Sequence, residues 1–548
     1  MYERPQKHMS KGGPKATRDV SEKLDQLGAH TVIFWGPQSG TAERMANLLG
    51  KKRDNVSASR HWQQTLLIRS LRPSPSSPRM RSKTTTAAVL TALAGFTSAS
   101  SVSFGHDEGW SPMFSRQEMS SSAWPYGPFS TKGRDIVNSK GEAVTWVGVN
   151  WPGSGETMVP EGLEFSSVGD ILDLVKSVGF NFIRLTYAIE MVDQIYERNG
   201  TDVGLEIAMI KALGYENGTK VTKEMVAKNP GWSKDTTRFE VWDKIAEEAA
   251  EREMYVHPDV HVGKAQWCCN KTDGNAWFDD YNFPVKNWHR GLQHTAEWAK
   301  KHPNVVSMSL RNELRRNINM TDPTIDYGYN WVSLVGNNTE ATDAIYHTNP
   351  DILVSWSGMQ FDQDLSALTS GLDLNRAPCY KCDPIRDRYT REPLIFDLDS
   401  HPWADKVFYE LHLYSMSEDQ DTDNCPIIEA ELYQNGYNAL GIDPPEACNI
   451  TGACMKAVRQ TPVVMSEFGW AQDETLLNDT LQGCIRKFTT QHNISWAMWS
   501  LTGSYRIRSG GQGVPDTWAL SNYDWDGWQF PEGIEKWWKP WVAAMFGS

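Results

Sequence analysis

The chain has 548 residues, 40% of them hydrophobic, enough to bury a large core in one big domain or two ordinary ones. Charge is uneven along it: residues 1–100 hold 16 Lys+Arg against 6 Asp+Glu, a net of +10, so the rest of a chain of net −14 carries −24. An acidic body of that size excludes nucleic-acid binding by charge, and the break points to segments of different origin.

Near the amino terminus, Thr31–Trp35 reads as a strand, Gly36 to Thr41 as a polar Gly-rich turn, and Ala42–Leu49 as a helix. Strand, turn and helix in this order can cradle a phosphate on backbone amides. The stretch RDVSEKLDQLGAHTVIFWGPQSGTAERMANLLGK, Arg18 to Lys51, resembles the start of the flavodoxin-type FMN domain of cytochrome P450 reductases. It ends inside the first helix, and the further strands and loops of an FMN site do not follow. No FMN or other cofactor is therefore expected. Residues 51–79 are basic, Ser/Pro/Arg-rich and unpatterned, a composition that favours disorder. Met80 then opens the layout of a secretory signal: Arg81 and Lys83, an apolar Ala87–Phe96, and small residues up to Ala99. A buried helix is the competing reading, but no amphipathic period supports it. Residues 1–79 are thus expected to be a reductase-like fragment fused upstream and dispensable, 80–99 a signal segment, 100–129 a linker, and 130–548 the catalytic domain.

From about Trp124 short apolar runs alternate with helical stretches. The strand-like runs are Val144–Asn150, Phe180–Tyr187, Glu253–His261, Val305–Glu313, Ile352–Gly358, Lys406–Tyr414, Pro462–Gly469 and Ile494–Leu501. Amphipathic helices are predicted at Val168–Ser177, Phe239–Arg252, Trp288–Lys300 and Thr339–His347. Eight such units predict an α/β fold with a parallel sheet closed into a (β/α)₈ barrel. Long insertions are expected at about 190–238, 364–405 and 416–460. No later run of 18 apolar residues suggests a membrane span. Asn-x-Ser/Thr sequons at Asn199, Asn217, Asn270, Asn319, Asn337, Asn449, Asn478 and Asn493 favour the secretory pathway. So do the eight cysteines, all between Cys268 and Cys484, which allow 105 pairings. Cys448–Cys454 is the short-range pair expected, because Gly452 lets the intervening loop turn back. At least one of the adjacent Cys268 and Cys269 is expected to pair elsewhere, a vicinal ring being strained. Cys379-Tyr-Lys-Cys382 leaves a weak alternative of zinc; no metal is expected.

A barrel enzyme places its chemistry where strands end. The successive runs end in Arg184, in His257 and His261, in Asn312 and Glu313, in His412 and Tyr414, in Glu467 and in Trp499. Singly each has an ordinary reading: an Asn-Glu pair caps helices, a histidine sits satisfied in a core, an arginine makes a surface ion pair. Jointly they put polar groups repeatedly at one end of an apolar interior, which would be costly without purpose. Runs four and seven are nearly diametric, so Glu313 and Glu467 can face each other across a sugar, one as general acid and one as nucleophile. A nearby cation such as Arg184 would keep the nucleophile ionised. Asn312 could hold a sugar 2-hydroxyl, and Tyr414 could orient the nucleophile. The 24 tryptophans suit stacking on sugars or simply the core; Trp151, Trp267, Trp356 and Trp470 are candidate platforms.

Arg184, His261, Asn312, Glu313, His412, Tyr414, Glu467 and Trp499, in this order and at these strand ends, resemble the characteristic positions of glycoside hydrolase family 5. His257 lies on the same strand as His261, and either could face the sugar. The segments HPDVHVGKAQWCCNKTDGNAWFDD, SLRNELR and SWSGMQFDQDLS are similar to a cellulase-like branch of that family in fungi and plants. The resemblance implies a secreted, monomeric, retaining hydrolase of β-linked glucose chains, with Glu313 as acid/base and Glu467 as nucleophile. Mannan, a glycolipid, or a non-catalytic sugar-binding barrel are the alternatives, and the amino-terminal fragment leaves a flavoprotein as a third class.

Overall fold

The computed structural model describes residues 124–547, except 271, 318–327, 380–381, 384, 386–387, 415–423 and 449–453. The readings of residues 1–79 and 80–99, and of the sequons at Asn319 and Asn449, lie outside the described residues.

Eight parallel strands close into a barrel: β1 (Val147–Trp151), β2 (Phe182–Ala188), β3 (Tyr255–Val262), β4 (Ser307–Ser309), β5 (Leu353–Ser357), β6 (Val407–Leu413), β7 (Val463–Phe468) and β8 (Trp496–Met498), with β8 paired to β1. Each falls within or overlaps one of the predicted runs. Strands buried on both faces read as continuous apolar text, which is why they stand out. The largest trimming is at Val305–Glu313, of which only Ser307–Ser309 is regular strand. Beyond it the amide of Leu310 bonds the Ser355 carbonyl and that of Asn312 bonds the Val260 carbonyl, so the segment stays tied to both neighbouring strands while its direction changes.

Helices cover the outside. α1 (Val168–Ser177) starts where the Ser167 hydroxyl accepts from the Asp170 amide. The predicted insertion after β2 is helical: α2 (Ile189–Glu197), α3 (Leu205–Leu213) and α4 (Tyr215–Lys228). α3 and α4 approach closely at Gly218, where a Cβ would lie 2.5 Å from the Ile210 backbone. α5 (Arg238–Glu251) opens on a capping box of Thr237 and Glu240. α6 spans Val285–Ala299 and α7 Trp331–Thr348. α7 begins eight residues earlier than the apolar period predicts, because the Asn330 side chain caps it by accepting from the Ser333 amide. α8 (Cys425–Asn435) and α9 (Thr480–His492) follow. Among the described residues no helix is long and apolar enough to cross a membrane.

The bottom of the barrel is closed by apolar side chains. Phe129, Ile136 and Trp146 pack with Phe182, Tyr255, Val306, Leu353, Phe408, Val464 and Ala497. Residues 124–129, predicted as the end of a linker, are therefore packed structure: Trp124 lies 5.1 Å from the Tyr255 ring and Phe129 is buried edge-on against it. The tryptophan richness is largely core. Among the described residues twelve tryptophans are fully buried, including Trp496, Trp538 and Trp541 in one cluster.

All eight cysteines are paired: Cys268–Cys269, Cys379–Cys382, Cys425–Cys484 and Cys448–Cys454. The Cys448–Cys454 pairing is the one predicted. Cys268 and Cys269 do not pair elsewhere, contrary to expectation; the other six cysteines are matched among themselves and leave these two only each other. Cys379 and Cys382 are likewise joined, which removes the thiolates a zinc site would need.

Cys425–Cys484 connects α8 to α9 across 59 residues. Cross-linking a loop of this length restricts the unfolded chain strongly. Replacing both residues by alanine is expected to lower stability by about 2–5 kcal/mol, read from denaturant unfolding of variant and parent under non-reducing conditions.

Candidate active site

Arg184, from β2, is completely buried at the centre of the barrel's open end. Its Nη1 donates to Asn150 Oδ1 and Glu467 Oε2, both at 2.9 Å. Its Nη2 donates to Asp259 Oδ1 at 2.8 Å and Asn312 Oδ1 at 2.9 Å. Its Nε lies 3.7 Å from Glu410 Oε2. Burial opposes the charge, but Asp259, Glu410, Glu467 and Asp362 outweigh it and raise the guanidinium above its usual range. Asp259 in turn is held below the ordinary carboxylate range: burial pushes upward, and Arg184 together with the hydrogen-bonded His261 prevails.

Glu467 reaches this centre through an irregularity. On β7 the pairing with β6 runs Glu410 to Val464 and Leu411 to Met465, then His412 to Glu467, skipping Ser466. Strict alternation would send Glu467 outward with Met465. The extra residue re-aims it into the barrel, as bulges do beside functional sites. Its second oxygen accepts from the Tyr414 hydroxyl at 2.8 Å, so both oxygens are engaged and the plane of the carboxylate is fixed.

Glu313 sits on the segment that leaves β4, with a left-handed backbone (φ 47°). Such a conformation is unfavourable for a side chain with a Cβ and persists where surroundings enforce it. Here the Glu313 amide donates to Asp362 Oδ2 at 2.7 Å, and its carbonyl accepts from Arg315 Nη1 at 2.7 Å. Asp362 is itself delivered by three successive left-handed residues, Gln360, Phe361 and Asp362. These are held by bonds from the Phe361 amide to the Leu314 carbonyl and from the Gln360 amide to the Tyr329 hydroxyl. Burial raises the Glu313 carboxyl above its ordinary value despite Arg315, His261 and Arg184. Burial and then Glu410 raise Asp362 further. His412 Nδ1 is 3.2 Å from Glu313 Oε1, and burial lowers the ring to about 4, so it is neutral. One oxygen of Glu313, one of Glu467 and a ring nitrogen of His412 lie within 4.8 Å of one another.

That trio, and Cys268, Cys269 with Glu313, are the described groups whose spacing could suit a cation. The protonated form that burial favours for Glu313, the contact of Arg184 with Glu467, and the bonded state of the two sulfurs all oppose one.

Of the residues singled out in the sequence, the structure brings Arg184, His261, Asn312, Glu313, His412, Tyr414, Glu467 and Trp499 together. His261 bonds Asp259 and stacks on Trp499, centroids 5.2 Å apart and planes within 7°. His257 does not join them: it lies deeper, between Phe182 and Phe408, with Nδ1 on the Ser307 hydroxyl at 2.8 Å. Three expected platforms are also misplaced. Trp151 and Trp356 are fully buried in the layer between strands and helices, their indoles donating to the Glu161 carbonyl and the Thr342 hydroxyl. Trp470 packs against Phe468 and Trp538. Trp267 alone is half-exposed near the site, edge-on to Trp499 and Tyr505 with Arg508 over its face. Sequence reasoning missed Asn150, Asp259, Asp362, Glu410, the half-buried Trp518 beside Tyr414, and the Cys268–Cys269 pair. Asp259 and Glu410 had a signal, since each lies two residues before an inward histidine on its strand and thus on the same face.

A closed eight-stranded barrel with two carboxylic acids meeting over a buried arginine at its open end defines a class of glycosidase-like barrels. The chain belongs to the cellulase family, glycosyl hydrolase family 5, whose profile matches residues 137–504. It is 31% identical over 418 residues to a glycosyl hydrolase 5 family protein of Chamaecyparis obtusa, covering 75% of this chain and 65% of that one. The chain thus spans about two thirds of that relative's length. An endoglucanase of Paenibacillus polymyxa is 22% identical over 413 residues, 74% of this chain and 85% of its own. A solved hyperthermostable endocellulase shares the fold at TM-score 0.50 and 18% identity, covering 76% of this chain and all but 2% of its own.

His257, lowered by burial to about 3, is neutral when folded and titrates near 6.5 when unfolded. The unfolded chain therefore takes up the proton first as pH falls. The stability tied to the neutral ring is full above pH 6.5 and is lost as pH drops toward 3. In His257→Gln the slope of unfolding free energy against pH over this window should be smaller by up to about 1.4 kcal/mol per pH unit. Denaturant unfolding at a series of pH values measures it.

Proposed function

We propose that the chain is a secreted retaining β-glycoside hydrolase that cleaves β-linked glucose chains in the manner of an endoglucanase, with Glu313 as acid/base and Glu467 as nucleophile. The observation that carries this reading is the approach of the two carboxyl groups to within 4.8 Å at their nearest oxygens. Retaining enzymes need carboxyls about 5–5.5 Å apart, whereas inverting ones leave about 6.5–9.5 Å for a water. The different surroundings of the two acids supply the division of labour. Burial beside a neutral histidine raises the Glu313 carboxyl toward the protonated form that a proton donor requires. Glu467 is oriented by Arg184 and Tyr414 for attack.

In the first step an oxygen of Glu467 bonds the anomeric carbon while the bond to the leaving oxygen breaks, and that oxygen takes the Glu313 proton. In the second, Glu313 removes a proton from water, the water oxygen bonds the anomeric carbon, and Glu467 departs. Two inversions give retention. In this reading Asn312 bonds the 2-hydroxyl, and Trp499, backed by His261, faces the sugar ring. The endoglucanase among the relatives supports a glucan as substrate. Four disulfides support an oxidising, extracellular setting. All the site groups come from one chain, as a monomer requires.

The test is hydrolysis of soluble cellulose derivatives, mixed-linkage β-glucan, mannan, glucosylceramide and aryl β-glycosides, with the first-formed anomer followed by proton NMR. Release of the β-anomer from glucans is expected. Initial release of the α-anomer, or action on mannan or glycolipid alone, overturns the reading.

Two variants separate the roles. Glu313→Gln should slow cello-oligosaccharides by about 10²–10⁴-fold, the range of general acid catalysis, and dinitrophenyl glycosides far less in the bond-breaking step. Equal losses would assign the acid elsewhere. Glu467→Ala should leave almost no turnover, and added azide should restore part of it with formation of the α-glycosyl azide; activity near that of the parent is the contrary result.

A further inference from the structure

The loop after β3 carries a feature that the double displacement does not use. Trp267, Cys268 and Cys269 run along the edge of the site, with Trp267 6.3 Å from Trp499. The two bonded sulfurs and an oxygen of Glu313 lie within 4.8 Å of one another. Asn312 Nδ2 points at both sulfurs, 3.6 Å from each. Because Arg184 holds Asn312 Oδ1, the amide has one orientation, and its NH₂ group is the end that faces the sulfurs.

The loop and the acid are fastened together. Arg315 is fully buried; it donates through Nη1 to the Glu313 carbonyl, through Nε to the Asn270 carbonyl at 3.1 Å, and through Nη2 to Asp273 at 2.6 Å. The Asn270 amide closes the turn by donating to the same Asp273 carboxylate at 2.8 Å. The sulfurs and Glu313 therefore hang from one clamp and keep their spacing.

We propose that the Cys268–Cys269 disulfide is a positioning element of the acid/base step, walling one flank of Glu313 against water. The inference rests on the hydrolase reading above. Its chemistry follows from what a disulfide is. Bonded sulfurs carry no donor and accept only weakly, so they offer Glu313 an apolar, polarisable face that water does not replace. They also leave the Asn312 N–H groups free to prefer a stronger acceptor, which a sugar hydroxyl supplies. Two separate thiols or hydroxyls would add donors and freely turning side chains on the same face. The carboxyl of Glu313 is thus bordered by the disulfide and by the His412–Glu467 pair, and the raised proton affinity of Glu313 has burial as its largest cause.

The test compares the full chain with Cys268→Ala/Cys269→Ala on two substrates, cellotetraose and dinitrophenyl β-cellobioside. With cellotetraose kcat should fall on the order of tenfold to a hundredfold, as for a displaced catalytic group, with KM changing less. The bond-breaking step of the dinitrophenyl glycoside, read as the pre-steady-state burst, should be nearly unchanged. The alkaline limb of kcat/KM for cellotetraose should move to lower pH as water reaches Glu313. Cys379→Ala/Cys382→Ala, which opens a disulfide outside the site, should alter neither substrate's rate nor the pH profile. Should the first variant fail to fold, the parent enzyme is titrated with a water-soluble phosphine. The phosphine is oxidised to its oxide with one water while the disulfide takes two electrons and two protons to become two thiols. Alkylation and peptide mapping then show which pairs have opened, and opening of Cys268–Cys269 should track the loss on cellotetraose. Equal losses on both substrates, or an unmoved pH profile with unchanged kcat, overturn the proposal. A parent enzyme inactive on both substrates overturns the hydrolase reading instead.

Discussion

The site is organised by one buried positive charge. Moving an ion out of water costs several kcal/mol, and the cost is offset only where hydrogen-bond partners and opposite charges surround it. Arg184 finds them on strands β1, β3, β6 and β7 and just beyond β4: Asn150, Asp259, Glu410, Glu467 and Asn312. The dependence is mutual. Three carboxylates in one cavity without a cation would repel one another and be driven to protonate. With it they become a lattice that pins five positions around the barrel mouth to one point. Below this level the interior is largely apolar, His257 and Ser307 pairing with each other, and is closed by Phe182, Phe408 and the Trp146 plug. The barrel thus has an electrostatic upper layer resting on a hydrophobic base.

The layering also separates the two acids. Glu467 lies within the lattice, with a donor on each oxygen. Glu313 lies at its margin, and its immediate ring contact is a histidine that burial keeps neutral. Beneath it, Asp362 is itself pushed upward by burial and by Glu410. The contrast between an ion-paired centre and a margin where burial raises the carboxyl, across less than 5 Å, suits the proposed acid and nucleophile working on the same bond.

Most of the barrel was legible in the sequence because parallel strands are buried on both faces and announce themselves as apolar runs ended by a polar group. Depth was not legible. His257, Asp259 and His261 share one face by the two-residue period, yet four residues of strand span about 13 Å, enough to put His257 in the core and His261 at the mouth. Direction was legible only in part. Asn150 faces inward, so its neighbour Trp151 faces the helices, and the same alternation carries Trp356, between Ser355 and Ser357, outward. Irregularities stayed hidden. The skipped Ser466 that turns Glu467 inward, and the left-handed run from Gln360 to Asp362, depend on contacts with segments distant in sequence rather than on local residue preference. So does the pairing of Cys268 with Cys269, which follows from where the other six cysteines find partners.

These irregularities are not scattered. Glu467, the proposed nucleophile, rests on a nearly regular strand and needs one bulge and two donors. Glu313, the proposed acid, stands on a segment that has already left its strand, with an unfavourable backbone angle, and regular pairing cannot hold it. Much of what fixes Glu313 comes from outside its own segment: Asp362 to its amide, His412 to its carboxyl, and the sulfurs of the β3 loop alongside, with Arg315, two residues on, at its carbonyl. An acid must also meet a leaving group that changes from substrate to substrate, so its place at the margin is useful as well as costly to maintain. With Glu313 as the proposed acid and Glu467 as the proposed nucleophile, substitutions at these supports act on protonation of the leaving oxygen before they act on nucleophilic attack, whereas damage to the Arg184 lattice disturbs both. The asymmetry between the two halves of the site is built into where each acid sits on the barrel.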